Sequence, residues 1–546
     1  MLKLRYRDSD ISVESGIRYR DLLRDEDGPL KPMLARQAGE YFELDEEIRK
    51  EGEVFPVYIT DSHGNKAYER TLSFILVVAV KTICPGHQLY IEHSISRGLY
   101  CRMPGLELSG EFIGRLQVEM KRIIEGSHPL EKVKLSREEA FEIFRKEHME
   151  DRIDLLRESG LESVTLYRLL GHYDYFYGKM AINTGLISLF GLEPYKGGFV
   201  LTYPPVYDPL SLGIFKPQDK LFGIFRETQE WDEIIGVDSI GYLNEKIIGG
   251  EAFDLIRVTE ALHEKKIAYI ADEIAGKKDV RVVMIAGPSS SGKTTFTKRL
   301  GIQLRVNGLI PVAIGMDDYF VDREHTPKNP DGSFDFESLR ALDLDLFQEH
   351  VLKLIDGQGV ALPHFDFRTG KRTISEHIVR LPERGVLMIE GIHGLNPALL
   401  PEIPRKSKFK VYISALTAMN MDRHNRIATT DVRKLRRMVR DILSRGYSAS
   451  ETLGIFPSVA RGEKEHIYPY QEEADAMFNS TILYELAVLK KHCLKELRAI
   501  DKSNLLYEEA KGLSSILVLV RDIKDEMVPE NSILREFIGG SCFYEY

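Results

Sequence analysis

Between Gly287 and Thr294 the chain reads GPSSSGKT, two glycines flanking four residues, then a lysine and a hydroxyl. Glycines let a turn curl its backbone N–H groups inward around an anion. A helix starting at that point adds the positive end of its dipole. The lysine reaches the outer phosphates of a nucleoside triphosphate, and the threonine hydroxyl is a ligand for Mg²⁺. The expected ATP-binding set is Gly287, Pro288, Ser289, Ser290, Ser291, Gly292, Lys293, Thr294 and Thr295.

Carboxylates at two places in the chain suit the same chemistry. Asp317 and Asp318 follow the apolar run IPVAIGM, and Glu390 ends GVLMIEG. In open α/β sheets ligands gather at the carboxyl ends of strands. Asp317 there can take the proton of an attacking hydroxyl, while its neighbour serves as a turn cap. Glu390 can hold Mg²⁺ beside Thr294. Residues 430–446 form an amphipathic helix, with Leu435, Met438, Val439, Ile442 and Leu443 on one side and arginines on the other. Arginines spread fixed charge over a transferring phosphoryl group, but they equally make an ordinary solvated basic face. PHFDFRTGKR, from Pro363 to Arg372, suits either a loop binding a small polar acceptor or a plain surface hairpin.

The elements that position these groups are legible in the apolar pattern. VRVVMIAG, IPVAIG, GVLMIEG, FKVYIS and SSILVLV read as strands buried on both faces, with helical patterns between them. That alternation predicts a doubly wound parallel α/β sheet over 280–546. A helical connector is expected over 231–279. Residues 61–230 read as α+β, opening with a long apolar helix in SHGNKAYERTLSFILVVAVKTI. Residues 1–60 read as a small strand-rich module: LKLRY alternates apolar and polar, ISV follows a turn-like DSD, and a helix at RYRDLLRD precedes a closing strand at EVFPVYI.

Bulk composition narrows the function classes. A chain of 546 residues is expected to hold three or four domains. No apolar run approaches the roughly 18 residues that span a bilayer, and the first residues lack a signal peptide's apolar stretch. Four scattered cysteines form no CxxC pair, which fits a reducing, cytoplasmic setting. The formal net charge of −10 disfavours bulk nucleic-acid binding. His63, His87, His93 and His172 have no ligand-like spacing and are read as surface or packed residues.

From GPSSSGKTT, DDYF at 317–320, PHFDF, IEG at 389–391 and RRMVRDILSRG at 436–446, in that order, residues 280–500 resemble the uridine kinase/phosphoribulokinase family. The resemblance implies an α/β P-loop kinase. In it Asp317 is the base, Lys293 and Arg440 act in catalysis, and Thr294 and Glu390 serve Mg²⁺. It places Asp317, Tyr319, Phe365, Asp366, Arg437, Arg440 and Arg445 around the acceptor. Phe365 and Gly370 depart from the family's tyrosine and histidine, so the identity of the acceptor is the open point.

Residues 1–230 resemble the N-terminal part of a threonyl-tRNA synthetase: a TGS-type β-grasp module, then an editing-type domain. The likeness lies in DSHGNKAYER, SFILVVAVKTICPG and ESVTLYRLLGHYDYFYGKMAINTG. The family's metal motifs fall on Arg70/Phe74 and on Phe176–Met180, so neither metal nor editing is expected there. The expectation for the whole chain is an ATP- and Mg²⁺-dependent kinase of a small hydroxylated metabolite, a nucleoside ahead of a sugar. It is expected to be homo-oligomeric, without a membrane partner. The alternative is an ATP-gated regulator that binds RNA or the ribosome.

Overall fold

A computed structural model describes all residues except 8, 25–27, 330, 331, 333, 368, 545 and 546. Strands β1 (Leu2–Tyr6), β2 (Ser9–Val13), β3 (Leu34–Gln37), β4 (Glu40–Glu43) and β5 (Gly52–Val57) form a sheet of order β2-β1-β5-β3-β4. β1 runs antiparallel to β2 and parallel to β5. The single-turn helix α1 (Tyr19–Leu22) covers it, and the Tyr19 hydroxyl donates to Gln37 Oε1 at 2.7 Å.

Helix α2 (Ser62–Ile83) begins where Asp61 accepts the His63 N–H at 2.7 Å. Residues 71–80 are all buried, so their near-continuous apolar sequence serves a helix enclosed on every side. Around it stand β6 (Tyr90–Ile95), β7 (Gly98–Arg102), α3 (Gly110–Glu125), β8 (Glu131–Ser136), α4 (Arg137–Lys146), α5 (Glu150–Arg157), β9 (Ser163–Leu169), β10 (His172–Asp174), β11 (Gly191–Tyr195) and β12 (Gly198–Thr202). These strands make two antiparallel sheets, β11-β12-β7-β6 and β10-β9-β8. Helices α6 (Asp219–Ile235), α7 (Ile240–Ile248) and α8 (Ala252–Gly276) follow.

The C-terminal region contains β13 (Val282–Ala286), α9 (Lys293–Val306), β14 (Ile310–Gly315), α10 (Leu344–Ile355), β15 (Val360–Asp366), β16 (Lys371–Val379), β17 (Gly385–Glu390) and β18 (Lys408–Ser414). It continues through α11 (Thr429–Arg440), α12 (Ala449–His466), β19 (Ala476–Asn479), α13 (Glu485–Arg498), α14 (Tyr507–Val518) and α15 (Arg535–Ile538). Its sheet is parallel throughout, in the order β14-β17-β13-β18-β19. Both faces are covered. Val283 and Ile285 join the core under α8, α9 and α11, while Val282 and Met284 join the one under α10. β15 and β16 stand apart as an antiparallel hairpin.

SSILVLV is not a strand. Ser514–Val518 belongs to α14, and Leu513, Ile516, Leu517 and Val520 reach the core at helical spacing. A short apolar run fits a buried helix as well as a buried strand, and here length did not arbitrate. The fifth strand is the four-residue β19.

The main core runs across the borders expected at 230 and 279: Phe144, Leu155, Leu243, Ile267 and Val411 share one cluster. A buried charge cluster ties the same parts together. Arg152 is 1% exposed and pairs with Asp174 at 3.0 Å and Asp422 at 3.2 Å, while His424 meets Asp174 at 2.6 Å. α5, β10 and the segment before α11 are thus held at one point.

Candidate active site

The phosphate-type loop lies at the carboxyl end of β13. A Cβ on Gly287 would fall 1.9 Å from the Ile413 carbonyl oxygen, so only glycine lets the loop pass β18. Gly292 has φ +82°, and a Cβ there would strike Ile533 at 2.4 Å. The Ser290 and Ser291 hydroxyls are buried with no hydrogen-bond partner. Orphaned donors at a helix start are what a phosphate ester satisfies, so the loop fits the group its sequence implies. Lys293 Nζ donates to the Pro288 carbonyl at 3.3 Å. The Thr294 hydroxyl donates to Glu390 Oε2 at 3.3 Å, joining the two expected Mg²⁺ groups.

Helix α11 holds this loop from behind. Arg433 Nε donates to the Ser289 carbonyl at 2.8 Å, and its guanidinium pairs with Glu463. Glu463 in turn accepts the Ser289 N–H at 2.9 Å. Arg436 donates to Glu485 at 2.5 Å and to the Ser480 carbonyl at 2.7 Å. Both arginines are fully buried, so this side of the helix is not a solvated basic face. Arg437 donates to Ser289 Oγ at 2.9 Å. Arg437, Arg440 and Arg445 converge on the buried Asp441, at 3.2, 3.8 and 3.3 Å. The helix does not continue unbroken to 446: a π-turn spans Asp441–Arg445 before Gly446, and Leu443 is exposed rather than part of the apolar stripe.

Asp317 is exposed at the end of β14. Partial desolvation by its neighbours raises its carboxyl above the ordinary range. Lys293, Arg445 and Arg440 oppose the shift and Asp318 adds to it. The groups expected to cooperate therefore share one field. Asp318 has a different task, accepting from His364 Nδ1 at 3.0 Å and from the Phe365 N–H at 3.4 Å. It pins the hairpin to the end of β14.

Glu390 is pushed up to about 7, first by burial, against Lys293 and with Asp317 and Glu536 adding to the rise. Glu337 is also held at about 7, by burial and by Glu463. No motif marked Glu337. It packs where Gly462 has no side chain, since a Cβ on Gly462 would lie 2.3 Å from its own Cβ. Glu536 was equally unmarked. It accepts from the Thr295 N–H at 3.1 Å and hydroxyl at 3.0 Å, and Tyr544 reaches the same hydroxyl at 2.8 Å. Thr295, expected to meet ATP, is thus engaged by the chain itself.

The expected acceptor residues are brought together only in part. Tyr319 is fully buried, its ring against Phe347 and its hydroxyl 3.1 Å from His350, so it faces the core and not the cleft. One 3-10 turn after Asp317 rotates it inward. Phe365 is 2% exposed, within a ring cluster with Phe320 and Phe367 at 5.6 and 5.1 Å. Asp366 shapes the hairpin turn: its carbonyl accepts the Gly370 N–H at 2.7 Å and its carboxylate the Thr369 N–H at 3.4 Å. Arg323 fills the space over Gly370 and donates to the Phe367 carbonyl. Arg368 lies outside the described residues.

In the N-terminal half, the two segments aligned with metal motifs do meet. Phe74 and Phe176 lie 5.4 Å apart, and Arg70 donates to the Lys179 carbonyl at 3.2 Å while covering the Tyr177 ring. Among the described residues no helix is long and apolar enough to cross a membrane.

Compared with known proteins, residues 282–485 match the Phosphoribulokinase / Uridine kinase family. A uridine kinase of Bacillus licheniformis is 27% identical over 230 residues, 41% of this chain and 99% of that protein. A uridine kinase of Chloroflexus aurantiacus is 29% identical over 198 residues, 36% of this chain and 85% of that one. The structure of a D-glycerate 3-kinase from Cryptococcus neoformans aligns over 47% of this chain and 88% of its own, at 15% identity and a TM-score of 0.23. The C-terminal region holds a phosphoribulokinase/uridine kinase family domain, a P-loop kinase fold on a parallel sheet.

Proposed function

We propose that this kinase domain moves the γ-phosphoryl group of ATP to a hydroxyl of a small metabolite, a nucleoside by preference. One observation carries the reading: Asp317 is exposed at the end of β14, within the field of Lys293, Arg440 and Arg445. The loop amides and Lys293 would hold the triphosphate. Asp317 would take the acceptor's proton as its oxygen attacks the γ-phosphorus. The new O–P bond forms as the bond to the bridging β–γ oxygen breaks, and ADP leaves with that electron pair. A raised carboxyl is the stronger base for this step. Lys293 and the arginines would take up charge on the equatorial oxygens. Thr294 and Glu390 would hold Mg²⁺, which supplies charge neutralisation between the β- and γ-phosphates.

The nucleoside preference draws on the uridine kinases this region is similar to. A second acceptor class, a sugar or other hydroxyl compound, is favoured by the buried Phe365 and by Arg323 over Gly370. Neither position offers the polar edge expected of a pyrimidine reader. ADP release measured across nucleosides, sugars and sugar phosphates separates the two. Turnover with sugars and none with any nucleoside would overturn the first choice.

For the N-terminal half the reading is a TGS-like β-grasp module and an editing-like domain. The strand order β2-β1-β5-β3-β4 supports the first, and the meeting of Arg70 with Phe176–Lys179 supports the second.

A further inference from the structure

A cavity of about 300 Å³ lies where the N-terminal half meets the kinase domain, and none of its lining residues belongs to the phosphate loop. One wall is α2, presenting Lys66, Glu69, Arg70 and Ser73. The facing wall is the segment from His424 to Asp431 that leads into α11, with α14 closing a third side. Its volume is at the small end of metabolite sites.

Four carboxylates and several cations line the cavity, and they are not all hydrogen-bonded to one another. Each lining carboxylate already has a partner. Glu69 accepts the Tyr203 hydroxyl, Glu508 binds Lys511 at 3.3 Å, and Lys434 holds both Glu509 at 2.5 Å and Asp431 at 3.4 Å. The cations are incompletely matched: Lys66 acts on Asp431 only through space, and Arg426 has Glu69 as its charge partner. Among the described residues Lys66 and Arg70 make no ion pair, and Arg70 spends one N–H on the Lys179 carbonyl. Arg426 approaches Glu69 only at 3.8 Å, and its buried Nε has no hydrogen-bond partner. A buried guanidinium N–H left without an acceptor costs about 1–3 kcal/mol, more for a charged group, unless something fills it. Beside these cations the lining includes the rings of Tyr41, Phe176 and Tyr177, the last of them lying under Arg70.

We propose that this cavity binds a small organic anion. A phosphate-type group would sit between Lys66, Arg70 and Arg426, with a flat ring beside the aromatic lining of Tyr41 and Phe176. The site is separate from the kinase cleft and goes beyond the phosphoryl-transfer reading. Its far wall runs three residues from Arg426 into α11, whose Arg433 holds the Ser289 carbonyl. Occupancy therefore has a covalent and hydrogen-bonded route to the loop.

The test is calorimetric titration of the full chain carrying Lys293→Ala, which weakens anion binding at the phosphate loop. The probes are UMP, inorganic phosphate and uridine: anion with ring, anion alone, ring alone. UMP is expected to bind more tightly than phosphate or uridine. Arg70→Ala, or the exposed Lys66→Gln, is expected to weaken UMP about tenfold, as loss of one charge-assisted contact should. Lys66→Gln keeps the test sound if Arg70→Ala disturbs folding. UMP binding that neither substitution changes, or that is no tighter than phosphate, would overturn the proposal. Kinase turnover by the unsubstituted chain is measured apart, so failure here does not touch the assigned reaction.

Discussion

The two sides of the kinase cleft are built differently. The donor side is clamped by residues far away in sequence: Ser289 by Arg433 and Glu463, Thr295 by Glu536, Thr294 by Glu390. Most of those groups are buried, and each is tied into a network. The acceptor side is a two-stranded hairpin outside the main sheet, pinned by Asp318 and packed by phenyl rings. Geometry that must hold a triphosphate and a transition state demands fixed dipoles that do not reorganise. A hairpin held by a few contacts can change its side chains without disturbing that machinery. The donor side is therefore the more tightly constrained of the two.

The comparison can be tested from both sides. Asp317→Asn removes the proton acceptor at the junction of the two walls. It should lower kcat by about 10²–10⁴-fold while ATP binding persists, read by steady-state kinetics and calorimetry. Unchanged turnover would mean the base lies elsewhere. Arg433→Ala leaves the 1%-exposed Glu463 without its cation, at a cost of about 3–5 kcal/mol. Thermal unfolding should show that loss, ATP binding should weaken with it, and adding Glu463→Gln should recover part of both. If Arg433→Ala alone leaves stability and ATP affinity intact, the donor wall is not clamped through this pair.

The third test uses pH. Glu390 sits at about 7, above its ordinary 4.5, so the folded chain holds this proton more tightly than the unfolded one. Its contribution to stability is fully present below pH 4.5 and is lost as pH rises through 7. A divalent cation needs the ionised form. Its affinity should therefore fall as pH drops below 7, by about tenfold per unit at the limit. Glu390→Gln should weaken the cation and flatten that profile. Glu337→Gln should leave the slope in place, although Glu337 titrates in the same window. The smallest effect is expected on the acceptor side. Arg323→Ala removes the support over Gly370 and should raise the acceptor KM about two- to fivefold, from a loss of about 0.5–1 kcal/mol. The KM for ATP should not move. An equal shift in both would mean the two walls are coupled.

Sequence reading reached what is local. The phosphate loop and Glu390 each sit at the end of a buried strand, and Asp317 at the end of β14, an edge strand that is partly exposed rather than buried on both faces as its apolar run suggested. Arg433 and Arg436 went unread as internal residues because a helical pattern assigns arginine to water. Their partners, Glu463 and Glu485, lie 30 and 49 positions on and carry no signature. Glu337 and Glu536 were invisible for the same reason. Tyr319 shows the converse: a motif fixed its place in the chain, while the 3-10 turn at 316–319 decided which way its ring faces. SSILVLV fits either period because its five consecutive apolar residues satisfy both.

One contact also sets an order in time. Thr295 is closed by Glu536, 241 positions later in the chain. A ribosome adding about 5–20 residues per second needs roughly 10–50 seconds to cover that distance. Through that interval the nascent chain has its phosphate loop but lacks the segment that walls Gly292 and Thr295. Synthesis thus delivers the nucleotide site in two stages, and the carboxylate that completes it is the later one.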